Sequence, residues 1–454
     1  MIMIIVYEKT EFINRKTELE FLKSAYESDR AELIILYGRR RVGKTELIKR
    51  SIKGKKSVYF LAEESPDEEN RKRFRRQLSR VLENPLIEKA EMNWDEIFSY
   101  IKGKIVVVID EFPYLIEGNR AIPSIFQRIW DEHLRKTKVK LVLMGSSISV
   151  METEILGYKS PLYGRRTGQI GLKPLKFRDV CEFFPEKEVE EIVKIYGITD
   201  GIPAYIQEVK YRIANGEKIE EVFLPNKFLF EEGDFLIKTE LREPRRYYSI
   251  IKAIAFSNTK FGEIVNFTGF PPSTVSQYLN NLKILHIVKE EYPYGEKETK
   301  RKTRYYLSDN YFNFYFRFIY EYRSELQELG KIPDFEEKYN TYLGKVFEKI
   351  ALEFVKRMIS EGKIDGIGAG RWWKKDVEID VVSQGDEKAY FFEAKWKDMS
   401  LNTALRILES LEEKSEHYHF KGEKIYGIIG KKIKDKEKLR EKGFLAYDLE
   451  DIRP

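Results

Sequence analysis

Residues 33–50 read LIILYGRRRVGKTELIKR. Leu33-Ile34-Ile35-Leu36 is a short apolar run of the kind that fills a buried strand. It leads into Gly38-Arg39-Arg40-Arg41-Val42-Gly43-Lys44-Thr45, which fits G-x-x-x-x-G-K-T, and helix-favouring residues follow. Strand, glycine loop and helix in that order make a P-loop. The glycines let the loop turn its N–H groups inward around phosphate oxygens. Lys44 is placed to reach the β- and γ-phosphates, and the Thr45 hydroxyl to hold Mg²⁺. The helix adds the positive end of its dipole. The expected nucleotide contacts are Gly38, Arg39, Arg40, Val42, Gly43, Lys44, Thr45 and Glu46.

With 454 residues, of which 42% are hydrophobic and 14% aromatic, the chain is long enough for two to four packed domains. No run is apolar and long enough to span a bilayer, and MIMIIVY at the start reads as an edge strand. The single cysteine, Cys181, rules out an internal disulfide framework and fits a reducing cytoplasm. The four histidines have no zinc spacing. The 81 basic and 75 acidic residues give a net charge of +6, mostly solvated and paired surface.

Further along, IVVVIDE at 105–111 is a β-branched run that delivers two acids to a strand's C-terminal edge, the Walker B pattern. Asp110 is expected in the Mg²⁺ shell, and Glu111 to orient or deprotonate the attacking water. The next apolar strand, 140–144, ends in Gly145-Ser146-Ser147. Ser146 is either a polar sensor of the γ-phosphate and water or a helix N-cap. Arg165 and Arg166, in a glycine-flanked loop, can supply a guanidinium to the transition state, in cis or from a neighbouring copy; the plainer alternative is two surface arginines. Before the P-loop, residues 12–26 form an amphipathic helix that Asn14 can cap. The segment resembles the F-x-x-R-x-x-E-L entry of archaeal P-loop ATPases, which implies that residues 12–15, Arg15 included, lie near the adenine; the alternative is that they simply lead into a helix packed on the sheet.

Taken in order, GRRRVGKTELI, VVVIDEFPYL, LVLMGSS, SPLYGRRTGQIGLKPL and YGITDGIPAYI resemble the archaeal ATPase family of the AAA+/STAND type. The resemblance implies an ATPase domain, a winged helix and a C-terminal domain originally described as of unknown function. It also implies a helical lid opening at 196–205, with Gly201-Ile202-Pro203 near the nucleotide. This segment carries no arginine.

Residues 247–310 read as three helices and two strands, a winged helix-turn-helix. Its third helix, 274–285, turns Val275, Leu279 and Leu282 inward and offers Ser273, Thr274, Ser276, Gln277 and Asn280 to a DNA major groove. Lys297, Lys300, Arg301 and Lys302 of the wing would neutralise phosphates. The alternative is packing on the ATPase or on a partner. The aromatic helix 311–322 reads as core, not as a base-stacking platform.

In the last third, a helix carrying Glu348 precedes strands containing Asp380 and Glu393-Ala394-Lys395, followed by a helix and a strand. D-x12-E-x-K in this setting is the PD-(D/E)XK nuclease pattern, with Ile379 where the pattern's proline falls. Asp380 and Glu393 can share Mg²⁺ or Mn²⁺, with Glu348 completing the shell. Lys395, two positions on and on the same strand face, can activate water. The alternative is a nuclease fold kept for binding only.

The expected architecture is α/β: a P-loop parallel-sheet ATPase at 1–175, a helical lid at 176–243, a winged helix at 244–325 and a restriction-nuclease-like domain at 336–454. The expected function is ATP hydrolysis coupled to DNA binding and cleavage. The competing reading is a nucleotide-gated signalling or scaffold ATPase whose distal domains only bind partners.

Overall fold

The computed structural model describes residues 12–241, 244–299 and 302–453. MIMIIVY, Lys300 and Arg301 lie outside them. The chain gathers into two compact units, one of residues 14–174 with 202–204, the other chiefly of residues 175–201 and 205–454.

The first unit is an α/β layer structure on a parallel sheet. Its strands are β1 (Glu32–Tyr37), β2 (Ser57–Leu61), β3 (Val106–Asp110), β4 (Lys140–Gly145) and β5 (Gly168–Gly171), in the order β2-β3-β4-β1-β5. β3 and β4 are buried throughout and β1 nearly so, which explains their continuous apolar sequences. Leu33, Ile35, Val107, Ile109, Leu141 and Leu143 belong to one apolar cluster, and burying each such side chain contributes about 1.5–3 kcal/mol. α1 (Lys16–Glu27) precedes β1, and α2 (Lys44–Ser51) follows the glycine loop. Asn14 does not cap α1. Asn14 and Arg15 are both left-handed, and Arg15 stands at the cap position without a side-chain cap bond, because a guanidinium has no acceptor to offer the helix N–H groups.

The second unit begins with helices, among them Val189–Thr199 and Phe228–Glu240. Then come α3 (Pro244–Ala255), α4 (Phe261–Thr268) and α5 (Pro272–Ile284), followed by an antiparallel hairpin of β6 (Val288–Glu291) and β7 (Arg304–Leu307). On α5, Val275, Leu279 and Leu282 are buried, whereas Ser273, Ser276, Gln277 and Asn280 are exposed. The aromatic segment is core: Tyr311, Phe314, Tyr315, Phe316 and Phe318 are buried, and Phe314 and Phe318 pack on Tyr339 and Tyr342.

Tyr339 and Tyr342 lie on α6 (Phe335–Ser360), which packs on a mixed sheet of β8 (Ala369–Lys374), β9 (Val377–Gln384), β10 (Lys388–Met399), β11 (Glu423–Ile433) and β12 (Leu445–Tyr447). The order is β12-β11-β10-β9-β8. β9 runs antiparallel to both of its neighbours, β8 and β10, and β10, β11 and β12 are parallel. α7 (Leu401–Ser415) makes the crossover from β10 to β11. β12 and the helix Lys436–Glu441 extend the helix–strand succession expected from sequence.

Candidate functional sites

The P-loop geometry follows from its two glycines. A Cβ on Gly38 would lie 2.5 Å from the Leu172 carbonyl oxygen, and Gly43 holds φ +99°. Both are places where a side chain would clash or strain the backbone. α2 starts at Lys44, so the helix's positive end faces the loop. The Lys44 ammonium is buried and donates to the carbonyls of Gly38, at 2.8 Å, and Arg39, at 3.1 Å. Arg15 crosses under the loop, donating to the carbonyls of Val42, at 3.3 Å, and Lys173, at 2.7 Å. It therefore braces the loop backbone. Pro203 lies beside Gly43, as a Cβ there would meet its Cγ at 3.8 Å. Arg40 contacts the Tyr114 hydroxyl at 3.5 Å. Glu46 instead pairs with Arg50 at 2.7 Å, an i,i+4 pair on α2, because its helix position turns it along the helix surface.

At the edge of β3, the Thr45 hydroxyl donates to Asp110 Oδ2 at 3.2 Å. A hydroxyl and a carboxylate so close form the hard oxygen pair that suits Mg²⁺. Burial, more than any neighbour, raises the Asp110 carboxyl above the usual range. Sequence reading missed Tyr59, whose hydroxyl donates to the same Asp110 oxygen. Strand parity carries the signal: Tyr59 is in register with Val108, on the same face of β3 as Asp110. Glu111 adopts a left-handed backbone, φ +53°, which costs on the order of 1 kcal/mol for a non-glycine. That turn brings Glu111 Oε2 to the Ser146 amide at 3.0 Å and the Ser146 hydroxyl at 2.9 Å. Ser146 thus engages the acid, not a helix end.

In the C-terminal sheet, the β9–β10 ladder ends at Phe392 opposite Val381, so Asp380 and Glu393 sit just beyond the last paired residues. Lys395 donates to Glu393 Oε2 at 2.5 Å and to Asp380 Oδ2 at 3.2 Å. Asp380 Oδ2 also accepts the Ala394 amide at 2.9 Å. Although burial works against it, the two carboxylates raise the Lys395 ammonium. Lys414 of α7, absent from the sequence reading, donates to Glu393 Oε1 at 2.6 Å. Burial first, then the Asp380 charge, pushes Glu393 up, against the pull of Lys395. Glu348 does not complete a three-acid shell. Its carboxylate is turned to Arg371 at 2.9 Å, while burial and the Asp380 charge push it up to about 7. Among the described residues no three His, Cys, Asp or Glu side chains are grouped to hold a metal. Two carboxylates still fit Mg²⁺ or Mn²⁺, which commonly takes one or two from the protein and the rest from water and phosphate.

The family description "ATPase domain predominantly from Archaea" matches residues 12–209, and "Archaea bacterial proteins of unknown function" matches residues 315–407. An uncharacterized protein of Methanocaldococcus jannaschii is 42% identical over 449 residues, 97% of this chain and 100% of that protein. The chain belongs to the archaeal ATPase family. An uncharacterized ATP-binding protein of the same organism is 57% identical over 51 residues, 11% of this chain and 86% of its own length. Among solved structures, the Walker-type ATPase of Pyrococcus abyssi superposes with a TM-score of 0.52 at 22% identity, covering 69% of this chain and 99% of that one. The fold is therefore shared.

Elsewhere in this archaeal ATPase, Arg165 donates to Asp131 at 2.9 Å and to the Pro161 carbonyl, while Arg166 stacks on Tyr163. None of these contacts is to a P-loop residue. In the hairpin, Lys302 pairs with Glu296, and its carbonyl accepts from the Trp373 indole at 3.1 Å. Arg304 pairs with Glu378 at 2.8 Å and stacks over Trp373. The Tyr294 amide donates to the Arg371 carbonyl at 2.8 Å. Lys302, one of the residues expected to grip phosphates, and Tyr294 and Arg304, which flank them, thus contact β8 and β9, while Lys300 and Arg301 lie outside the described residues. Among the described residues no helix is long and apolar enough to cross a membrane.

Proposed function

We propose that this archaeal ATPase hydrolyses ATP in the cytoplasm and couples turnover to metal-dependent cleavage of DNA by its C-terminal domain. On this reading the domains run 1–175, 176–243, 244–325 and 336–454. Thr45 and Asp110 hold Mg²⁺, Glu111 orients the water, and Arg165 or Arg166, in cis or from a neighbouring copy, completes the site. A divalent ion in the C-terminal domain would polarise the phosphodiester and lower the pKa of a bound water. Asp380 and Glu393 would hold it, and Lys395 would stabilise the charge that develops on phosphorus oxygens. The winged-helix reading of α3–β7 is supported by the exposed polar face of α5. The observation that carries the proposal is one ammonium bonded to two carboxylates from adjacent strands.

A second reading, a nucleotide-gated scaffold that cuts nothing, is favoured by a different observation. Lys395 and Lys414 together engage both oxygens of Glu393 and already neutralise it. Incubating the full chain with single-stranded and supercoiled DNA, ATP and Mg²⁺ or Mn²⁺ separates the two. Nicking that stops in Asp380→Ala supports the nuclease. ATP turnover with intact DNA assigns the scaffold.

A further inference from the structure

Between α3, α4 and the β6–β7 hairpin on one side and α6, β8, β9 and β10 on the other lies a cavity of about 480 Å³. Asp380, Glu393 and Lys395 line it. With these three included, its lining has nine cationic side chains against six acidic ones. Seven of the nine cations have a carboxylate partner, as in Lys260 with Glu263, Lys289 with Glu291, and Lys349 with Asp200. The two without one among the described residues are Arg317 and Lys345. Both donate to the same hydroxyl, Ser257 Oγ, at 3.0 Å and 2.7 Å. Arg317 Nε is buried with no hydrogen-bond partner.

Two like charges on one hydroxyl repel each other, and Lys345 is exposed, so an incoming anion can reach it. An anion with several oxygens removes that cost by accepting from both at once. The position of this pair indicates which anion. Lys345 stands three residues before Glu348 on α6, so their Cβ atoms are about 5–6 Å apart. Glu348 in turn feels the Asp380 charge. Glu348 lines the same cavity as Asp380 and Glu393, so an anion at Arg317 and Lys345 shares that cavity with the acid pair. The cavity volume is that of a small-molecule site, typically ~300–1,000 Å³. A cavity of that volume, its walls tied by Arg304 to Glu378 at 2.8 Å, has room for one or two nucleotides and not for both strands of a duplex.

We infer that this cavity seats a single strand of nucleic acid, with Arg317, Lys345 and Ser257 holding the phosphate next to the one that reaches Asp380 and Glu393. The inference rests on the reading of the C-terminal site as acting on phosphodiesters, but its test needs no cleavage.

The full chain is titrated in EDTA with labelled oligothymidylate, oligouridylate and blunt duplex DNA of about 12 nucleotides, within the ~4–16 that single-strand sites cover. Lys345→Ala should weaken binding of either single strand about tenfold and lower its salt slope by about 0.7, the value for one lost phosphate contact. Duplex binding should not change. Lys345→Glu, a change at the same exposed position, should weaken the strands further. Lys136→Ala, an exposed charge on the other unit, should change nothing. Equal loss for strand and duplex, or no loss for either, overturns the seat. Complete displacement of the strand by millimolar inorganic phosphate also overturns it and assigns a small anion. A strand that binds with this dependence yet is never cut with Mn²⁺ present keeps the seat and removes the nuclease reading.

Discussion

The Ser146 hydroxyl lies 2.9 Å from Glu111 Oε2, and the Ser146 amide lies 3.0 Å from the same oxygen. Two donors from the end of β4 therefore fix the acid that follows β3. Ser146→Ala removes one and leaves the backbone donor. Turnover of ATP should fall about tenfold, the size of a charged hydrogen bond of about 1.5 kcal/mol. Nucleotide affinity should stay the same, since Ser146 acts through Glu111. Ser146→Thr keeps the hydroxyl and should restore much of the rate. Steady-state kinetics with a separate binding titration checks this; a loss of affinity equal to the loss of rate would refute the positioning role.

Lys44 and Glu111 should separate differently. Lys44→Ala removes the buried ammonium beside the loop and should abolish detectable ATP binding by calorimetry. Glu111→Gln keeps the shape of the side chain and both Ser146 contacts to an oxygen. It should bind ATP like the wild type and reduce turnover at least a hundredfold, within the ~10²–10⁴ that general acid–base groups contribute. Equal ATP affinity in Lys44→Ala and the wild type would remove the P-loop assignment.

Cys181 supplies a test by pH. Burial pushes its thiol up from 9.0 to about 12. At pH 8 the folded protein should therefore hold about a thousandth of the thiolate of an ordinary cysteine, and only the thiolate is alkylated. Iodoacetamide labelling should be correspondingly slow in the native chain. It should rise about tenfold per pH unit up to about 12, and become fast at pH 8 once the chain is unfolded in guanidinium. Rapid native labelling at pH 8 would show that the helical region around Cys181 opens locally.

Much of this was legible in sequence, for reasons that differ by residue. Buried parallel strands must be apolar throughout, so β1, β3 and β4 announce themselves, and their C-terminal ends locate Asp110 and Ser146. Period-two alternation puts Glu393 and Lys395 on one face of β10. Contacts between distant elements leave no such trace. Lys414 is 21 residues from Glu393 and on a helix, and Ser257 is 88 residues from Lys345. The docking of the hairpin on β8 depends on Trp373, Arg304 and Tyr294 meeting in space, which no spacing rule encodes. The charge of Lys302 was visible; its Glu296 partner was not foreseen.

The C-terminal site yields the sharpest division, because Lys395 and a divalent ion compete for the same oxygens. Asp380 Oδ2 and Glu393 Oε2 both face the Lys395 ammonium. In the full chain, with Lys44→Ala as background so that the P-loop contributes no nucleotide-linked metal, Asp380→Ala should bind no Mn²⁺ at millimolar concentration by calorimetry. Lys395→Ala frees two carboxylates from their ammonium, and it should bind Mn²⁺ at least as tightly as the background protein. It should nevertheless fail to cleave DNA, since the charge that would stabilise the transition state is gone. Lys414→Ala leaves Lys395 in place and unblocks Glu393 Oε1 alone, so its Mn²⁺ affinity should lie between the two. Mn²⁺ binding in Asp380→Ala equal to that of the background would mean that these carboxylates serve only as partners for Lys395 and Lys414, and the site would then be an ion-pair network without a metal.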